Sequence, residues 1–238
     1  MTEIKKVGYK FLGFKNYGES IEIQQRLQDL LINEQAVFDG FLLILYHEPI
    51  ITVGKYSDYS NLLVNREKLD RLGVKFYHSD RGGDITCHEP GQIVVYPIFN
   101  LRKFNLKVKD YVFLLERVVI RFLKDFDVRS DRIKGKPGVW VGGNKIASVG
   151  ISIKRHCTKH GIAVNVNNSL KYFELINPCG FQNLGITSLK KVLNYEPSLH
   201  ECNNRILEHF SAVFNVGVEE VDINDFLSFG SSQISSSA

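Results

Sequence analysis

An α+β fold, built on a central mixed, largely antiparallel sheet flanked by helices, follows from three features of the sequence. Short strand-like runs and amphipathic helical patterns are interleaved without the regular alternation of βαβ units. Two of the strand-like runs, 138–141 and 145–154, are joined by Gly142, Gly143 and Asn144, a turn composition that favours an antiparallel hairpin. The 238 residues, 44% hydrophobic and 24% charged, are enough to bury one sizeable core.

The elements read as follows. Residues 9–14 form a first strand. Residues 19–36 form a helix, with Ile23, Leu27, Leu30, Leu31 and Glu34 recurring near the helical period. Residues 41–46 are apolar throughout and short, which marks a buried central strand; Pro49 limits it and residues 51–53 continue in a partner strand. Asn65 in front of residues 66–72 and Gly73 behind them are a cap and a stop for a short helix. Residues 74–77 and 92–99 are strands on either side of a Gly-rich loop. Residues 109–126 carry Val112, Leu115, Val119, Phe122, Leu123 and Phe126 along one side and make the strongest helix. Beyond the hairpin, residues 158–166 are a strand, 169–175 a short helix opened by Asn168, and 202–214 an amphipathic helix. Residues 1–229 form a single domain and residues 230–238, rich in Ser, a flexible tail.

Composition excludes several classes. The net charge of +4 is a mild excess, suited to an acidic partner but too weak to argue for nucleic acid without clustering, and no basic and aromatic interleaving points to single strands. The longest apolar run is far too short to span a bilayer, and the first residues lack a signal-peptide run, so the expectation is a soluble, cytoplasmic protein. Four cysteines, Cys87, Cys157, Cys179 and Cys202, are scattered without a C-x-x-C pair, which fits a reduced compartment. No His, Cys, Asp and Glu set has metal-ligand spacing, so no metal is expected.

Four places can carry chemistry. Cys179 stands between Pro178 and Gly180, a turn that can present a sulfur outward, although a buried, inert cysteine is the common alternative. Lys145 follows a Gly-Gly-Asn turn and opens an apolar strand. Beside a thiol its charge favours thiolate, whereas most lysines are merely solvated. The segment DRGGDITCHEPGQ over 80–92 is dense in glycine and can bring backbone N–H groups close to a ligand oxygen, or be an ordinary surface turn; it is neither a Walker A loop nor a dinucleotide fingerprint. His160, followed by small residues in a strand, lines a pocket or is a hydrogen-bonded structural histidine.

Taken together and in order, RGGDITCHEPGQ over 81–92, PGVWV over 137–141, KIASVG over 145–150, HGIAVNV over 160–166 and NPCG over 177–180 resemble the lipoyl(octanoyl) transferase family, within the biotin and lipoate protein ligase fold superfamily. The resemblance implies the ligase-like fold and a cofactor-free transfer of octanoyl from octanoyl-acyl carrier protein to a lysine of lipoyl domains. Those acceptors belong to the 2-oxoacid dehydrogenase complexes and to the glycine cleavage system H protein. It implies Cys179 as the acyl-thioester nucleophile and Lys145 as the lysine that lowers its pKa. It also implies a pocket lined by Arg81, Gly82, Gly83, Asp84, Ile85, Thr86, Cys87 and His88, by Ser148, Val149 and Gly150, and by His160, Gly161, Ile162 and Ala163. Two positions depart from the family's usual pattern. Cys87 stands where an aromatic residue is usual, which predicts a wider pocket and a second thiol near the site; Glu89 stands where glycine is usual, so the loop must do without a positive φ there. The alternatives are an ATP-dependent lipoate or biotin ligase and a non-catalytic acyl-binding protein.

Overall fold

A computed structural model describes residues 4–57, 59–178 and 185–227. Two sheets carry the architecture. Among the described residues the larger has eight strands and the smaller has three. In the large sheet β1 (Lys5–Phe14), β2 (Gly40–Tyr46) and β11 (Val216–Glu220) run parallel to one another. Every other pairing is antiparallel: β2 with β6 (Gln92–Phe99), β6 with β10 (Cys157–Asn165), β10 with β9 (Asn144–Lys154), β9 with β8 (Lys136–Val141), and β8 with β7 (Asp131–Ile133). The sheet is thus mixed and largely antiparallel.

Side-chain alternation along the central strands builds a core on each face. Phe41, Leu43 and Leu45 of β2, with Val94, Tyr96 and Ile98 of β6, meet Ile23, Leu27, Leu30 and Leu31 of helix α1 (Tyr17–Ile32). Leu42, Ile44, Ile93, Val95 and Phe99 face the other way, onto α3 (Val108–Lys124) and α5 (Leu199–Phe214). A strand with both faces covered has no use for polar residues, which is why 41–46 reads as one apolar run.

The small sheet joins β3 (Ile50–Val53) parallel to β4 (Lys75–His78) and antiparallel to β5 (Ile85–His88). It has its own core, in which Ile51, Val53, Cys87, Phe173 and Ile176 pack with Leu69 of α2 (Arg66–Arg71). The expected partner strand at 51–53 therefore exists but belongs to this second sheet.

Local signals set most boundaries. Asn16 caps α1 by accepting from the Gly18 N–H at 2.9 Å, and Asn65 caps α2 by accepting from Lys68 at 3.0 Å. Val141 pairs with Asn144, and Gly142 and Gly143 both take positive φ, the backbone a two-residue hairpin turn requires. Helix α1 stops at Ile32 rather than running to 36. Glu34 sits at φ 59°, and the Gln35 N–H turns back to Leu30, so the apparent periodicity of 33–36 is coincidental. Residues 171–175 form a 3-10 helix entered through Leu170 at φ 66°. Helix α4 (Leu189–Leu193), helix α6 (Asn224–Leu227) and strands β5, β7 and β11 add to the expected set. No helix among the described residues is long and apolar enough to cross a membrane.

Leu27 is fully buried between α1 and the sheet. Leu27→Ala is expected to cost about 2–5 kcal/mol. Urea unfolding measures this directly, and an unchanged midpoint would mean that α1 does not hold that face.

Candidate active site

The cleft is assembled by strand register. In the antiparallel pair of β10 and β9, Ala163 lies opposite Ser148, Ile162 opposite Val149, Gly161 opposite Gly150 and His160 opposite Ile151. Segments a dozen residues apart in sequence are thus laid side by side. Ser148, Gly150, Gly161 and Ala163 leave a floor almost free of side chains, while Val149 and Ile162 turn into the α3–α5 core. The 81–88 segment forms one wall, coming from the small sheet and the loop before it. Tyr17 of α1, Tyr96 of β6, Pro137, Lys145 and Pro178 complete the lining of a cleft of roughly 730 Å³ including the space at its mouth.

Most residues implied by the family resemblance meet here: Arg81, Gly83, Asp84, Ile85, Thr86, His88, Lys145, Ser148, Val149, Gly150 and residues 160–163 all line the cleft. Gly82 does not; its N–H is spent on the Ile151 carbonyl at 2.8 Å, fastening the loop to β9. Cys87 is a correction. The alternation of β5 turns it away from the cleft into the small sheet's core, fully buried beside Ile51 and Val53, so it neither widens the pocket nor offers a second thiol to it. Cys179 lies outside the described residues, as do the neighbouring Gly180 and the tail.

Lys145 is held by its surroundings. It is 5% exposed, its Nζ lies 5.1 Å from the Trp140 ring centre, and its backbone is clasped by the returning chain: Lys145 N–H donates to Gly185 O and Thr187 N–H to Lys145 O. Its side chain lies against Gly138, whose N–H donates to Glu116 of α3 at 2.8 Å; Glu116 also pairs with Arg132. Gly138 has φ 125°, and a Cβ there would stand 2.7 Å from Lys145 Cε and 2.4 Å from the Ala147 carbonyl. Only glycine fits.

The polar groups around the cleft are mostly committed. Arg81 donates to Thr52 Oγ1, Thr52 O, Gly82 O and Asp84 O, which locks the loop. The Asp84 carboxylate accepts from Ser57 and Asn61, and the Asn61 carbonyl in turn accepts the Asn177 N–H, one residue before Pro178. His88 Nδ1 donates to Gln92, Gln92 to Asn165, and Asn165 to Thr187 O, a buried relay that ends on the strap holding Lys145. Glu89, with no positive φ, is buried and accepts from Asn168, Ser169 and the Leu170 N–H, anchoring the turn that leads to 177–178. Tyr17 and Tyr96 lie outside every segment that carries the family resemblance, and nothing in their spacing distinguishes them from core residues; Gln92 and Asn165 fall inside the 81–92 and 160–166 segments.

Burial sets the charge states. The thiols of Cys157 and Cys202 are pushed up to about 11 and about 12 by desolvation, and that of Cys87 well above its ordinary value by desolvation with Glu89 adding to it. All three described cysteines are therefore poor nucleophiles at neutral pH. Desolvation also lowers His47, His88 and His160; His47 falls to about 4. His47 Nδ1 donates to Lys15 O, leaving Nε2 to accept from Tyr96 OH, the bonding of a neutral ring. Among the described residues no group of three or more His, Cys, Asp or Glu is placed to hold a metal ion.

This fold is that of the lipoate and biotin protein ligases. Lipoate-protein ligase A bound with ATP superposes with TM-score 0.70 at 11% identity, covering 94% of this chain and 92% of that one. The biotin protein ligase of Aquifex aeolicus superposes at 0.52 and 15% identity, covering 87% and 70%. The lipoyl protein ligase A/B catalytic domain matches residues 16–211. The octanoyltransferase of Alkaliphilus metalliredigens is 38% identical over 210 residues, 88% of this chain and 95% of that one. That of Caldanaerobacter subterraneus subsp. tengcongensis is 41% identical over 212 residues, 89% and 92%. The chain belongs to the lipoyl protein ligase A/B catalytic domain family and, within it, to the octanoyltransferases.

Gly138→Ala should lower acyl transfer on the order of 100-fold by displacing Lys145, with the circular dichroism of the fold retained; transfer within about twofold of wild type would show that Lys145 tolerates the shift. Between about pH 6.5 and 4 the unfolded chain carries a proton on His47 that the folded chain does not. Its contribution to stability is therefore full above that window and lost as pH falls through it, roughly 3 kcal/mol in all. Urea midpoints at pH 7.5 and 4.5 should fall less for His47→Gln than for wild type, and equal falls would contradict the assignment.

Proposed function

We propose that the protein takes an octanoyl group from octanoyl-acyl carrier protein onto Cys179 as a thioester. It then passes the group to a lysine of lipoyl domains, those of the 2-oxoacid dehydrogenase complexes and of the glycine cleavage H protein. The observation that carries this reading is that buried Lys145 and Pro178, the residue immediately before Cys179 in the chain, line one cleft with a nearly bare floor.

The chemistry needs little beyond that. The Lys145 ammonium favours the Cys179 thiolate. The thiolate attacks the acyl carbon, the carbon–sulfur bond to the carrier breaks, and the carrier leaves as a thiol carrying the proton that Cys179 gave up. One thioester replaces another at nearly equal free energy, so no ATP is consumed. The alkyl chain lies along the floor made by Ser148, Gly150, Gly161 and Ala163, where each buried methylene contributes about 0.8 kcal/mol. Cleft depth thereby selects chain length. In the second half-reaction the acceptor amine bonds to the acyl carbon, and the bond to Cys179 breaks.

Transfer is expected without ATP or Mg²⁺, with parallel lines in double-reciprocal plots of donor against acceptor. Intersecting lines, or transfer only with ATP, would overturn the reading. Lys145→Ala is expected to slow alkylation of Cys179 at pH 7 by about tenfold as the thiol returns toward its ordinary pKa. An unchanged alkylation profile would remove Lys145 from this role.

A further inference from the structure

His160 is held in an arrangement that a structural histidine does not need. It lies in the middle of a strand yet takes φ 57°, the left-handed region that non-glycine residues seldom occupy. Its backbone N–H is fixed by Gln24 of α1 at 2.7 Å. Its ring is 2% exposed in the wall of the cleft, packs edge-on against Tyr96, and donates from Nε2 to Asp80 Oδ1 at 2.7 Å. The other Asp80 oxygen accepts from Ser152 at 2.9 Å and lies 3.0 Å from Lys159 Nζ, so the carboxylate is itself immobilised. With Nε2 carrying the proton, Nδ1 bears the free lone pair, and it is buried without a hydrogen-bond partner. A buried acceptor left unmatched is costly unless something arrives to use it.

We propose that His160 is the base of the second half-reaction, its Nδ1 taking a proton from the acceptor lysine's amine as that nitrogen bonds to the acyl carbon. The inference rests on the thioester reading above. The step balances: the carbon–nitrogen bond forms, the carbon–sulfur bond to Cys179 breaks, and the electron pair leaves on sulfur as thiolate. The amine's proton passes to Nδ1 and from there to solvent after the product departs. Asp80 is a positioning residue: it fixes the ring and its tautomer and offsets the imidazolium charge, an aspartate–histidine division of labour familiar from acyl transfer. Nothing in the first half-reaction, thiolate against thioester, needs such a base.

The charges around the ring agree with this role. Burial lowers His160, the Asp80 carboxylate raises it, and Lys159 and Arg81 lower it. His88 and Tyr96 are the other titratable side chains near it, and α1 presents neutral Gln24 to its backbone. The ring is thus neutral and ready to accept a proton at neutral pH.

The test separates the two half-reactions. Acyl-enzyme formation from octanoyl-acyl carrier protein is followed by intact mass; loss of the acyl group from isolated acyl-enzyme to a lipoyl domain is followed in a second reaction. His160→Asn tolerates the left-handed backbone, and it is expected to slow the second step by about 100-fold and far more than the first. Asp80→Asn should cause a smaller loss in the same step and move its acidic limb to lower pH, since a group that raises His160 has been removed. In His160→Gly, added imidazole should restore part of the second step. An equal fall in both half-reactions, or a second step unaffected by either substitution, would overturn the proposal. Failure of the wild-type protein to form any acyl-enzyme would instead overturn the thioester reading on which it stands.

Discussion

The cleft depends on the burial and pairing of β10. All nine of its residues are buried, and it is hydrogen-bonded on one side to β6 and on the other to β9. A one-residue slip in the β10–β9 register would exchange Ser148 and Gly150 for Val149 and Ile151 on the cleft side and fill the space an alkyl chain needs. The slip is opposed by the core itself: it would drive Val149 and Ile151 out of the α3–α5 packing. Hydrophobic packing on one face of the strand thus sets the shape of the site on the other.

A second layer of control is polar. The relay from His88 through Gln92 and Asn165 reaches Thr187, and Thr187 clasps Lys145. Glu89 fastens 168–170, and Asn61 fastens Asn177. The chain is tied down before residue 179 and again after 184, and both ties run to groups around Lys145 and the 81–89 wall. Buried networks of this kind specify geometry only when their members are matched; among the described residues around the cleft, His160 Nδ1, Gln24 Nε2 and Asn168 Oδ1 are buried without a hydrogen-bond partner.

Much of this was legible in the sequence because the signals are local. The apolar run at 41–46, the Gly-Gly turn at 142–143 and the Asn65 cap each dictate their own conformation, and the ordered segments carrying Lys145, His160 and residues 81–88 were recognisable as parts of one site. What the sequence did not disclose depends on partners remote in the chain. Strand β5 is short and flanked by Gly and Pro, and it is a strand only because β3 pairs with it. Strand β11, VGVEE, is a charged edge whose conformation comes from β1. Cys87 was assigned to the pocket by its place in a motif, but the two-residue period of β5 turns it into a core that cannot be seen until the small sheet is known. Asp80 gave no sign that its partner was His160, eighty residues away.

The acyl group is proposed to pass through a thioester on Cys179. Intact mass after incubation with octanoyl-acyl carrier protein, wild type against Cys179→Ala, tests it most directly. A single octanoyl adduct, removed by hydroxylamine, is expected on the wild-type chain and none on the variant. An adduct that persists in Cys179→Ala, or acceptor acylation by a variant that has lost the thiol, would contradict it.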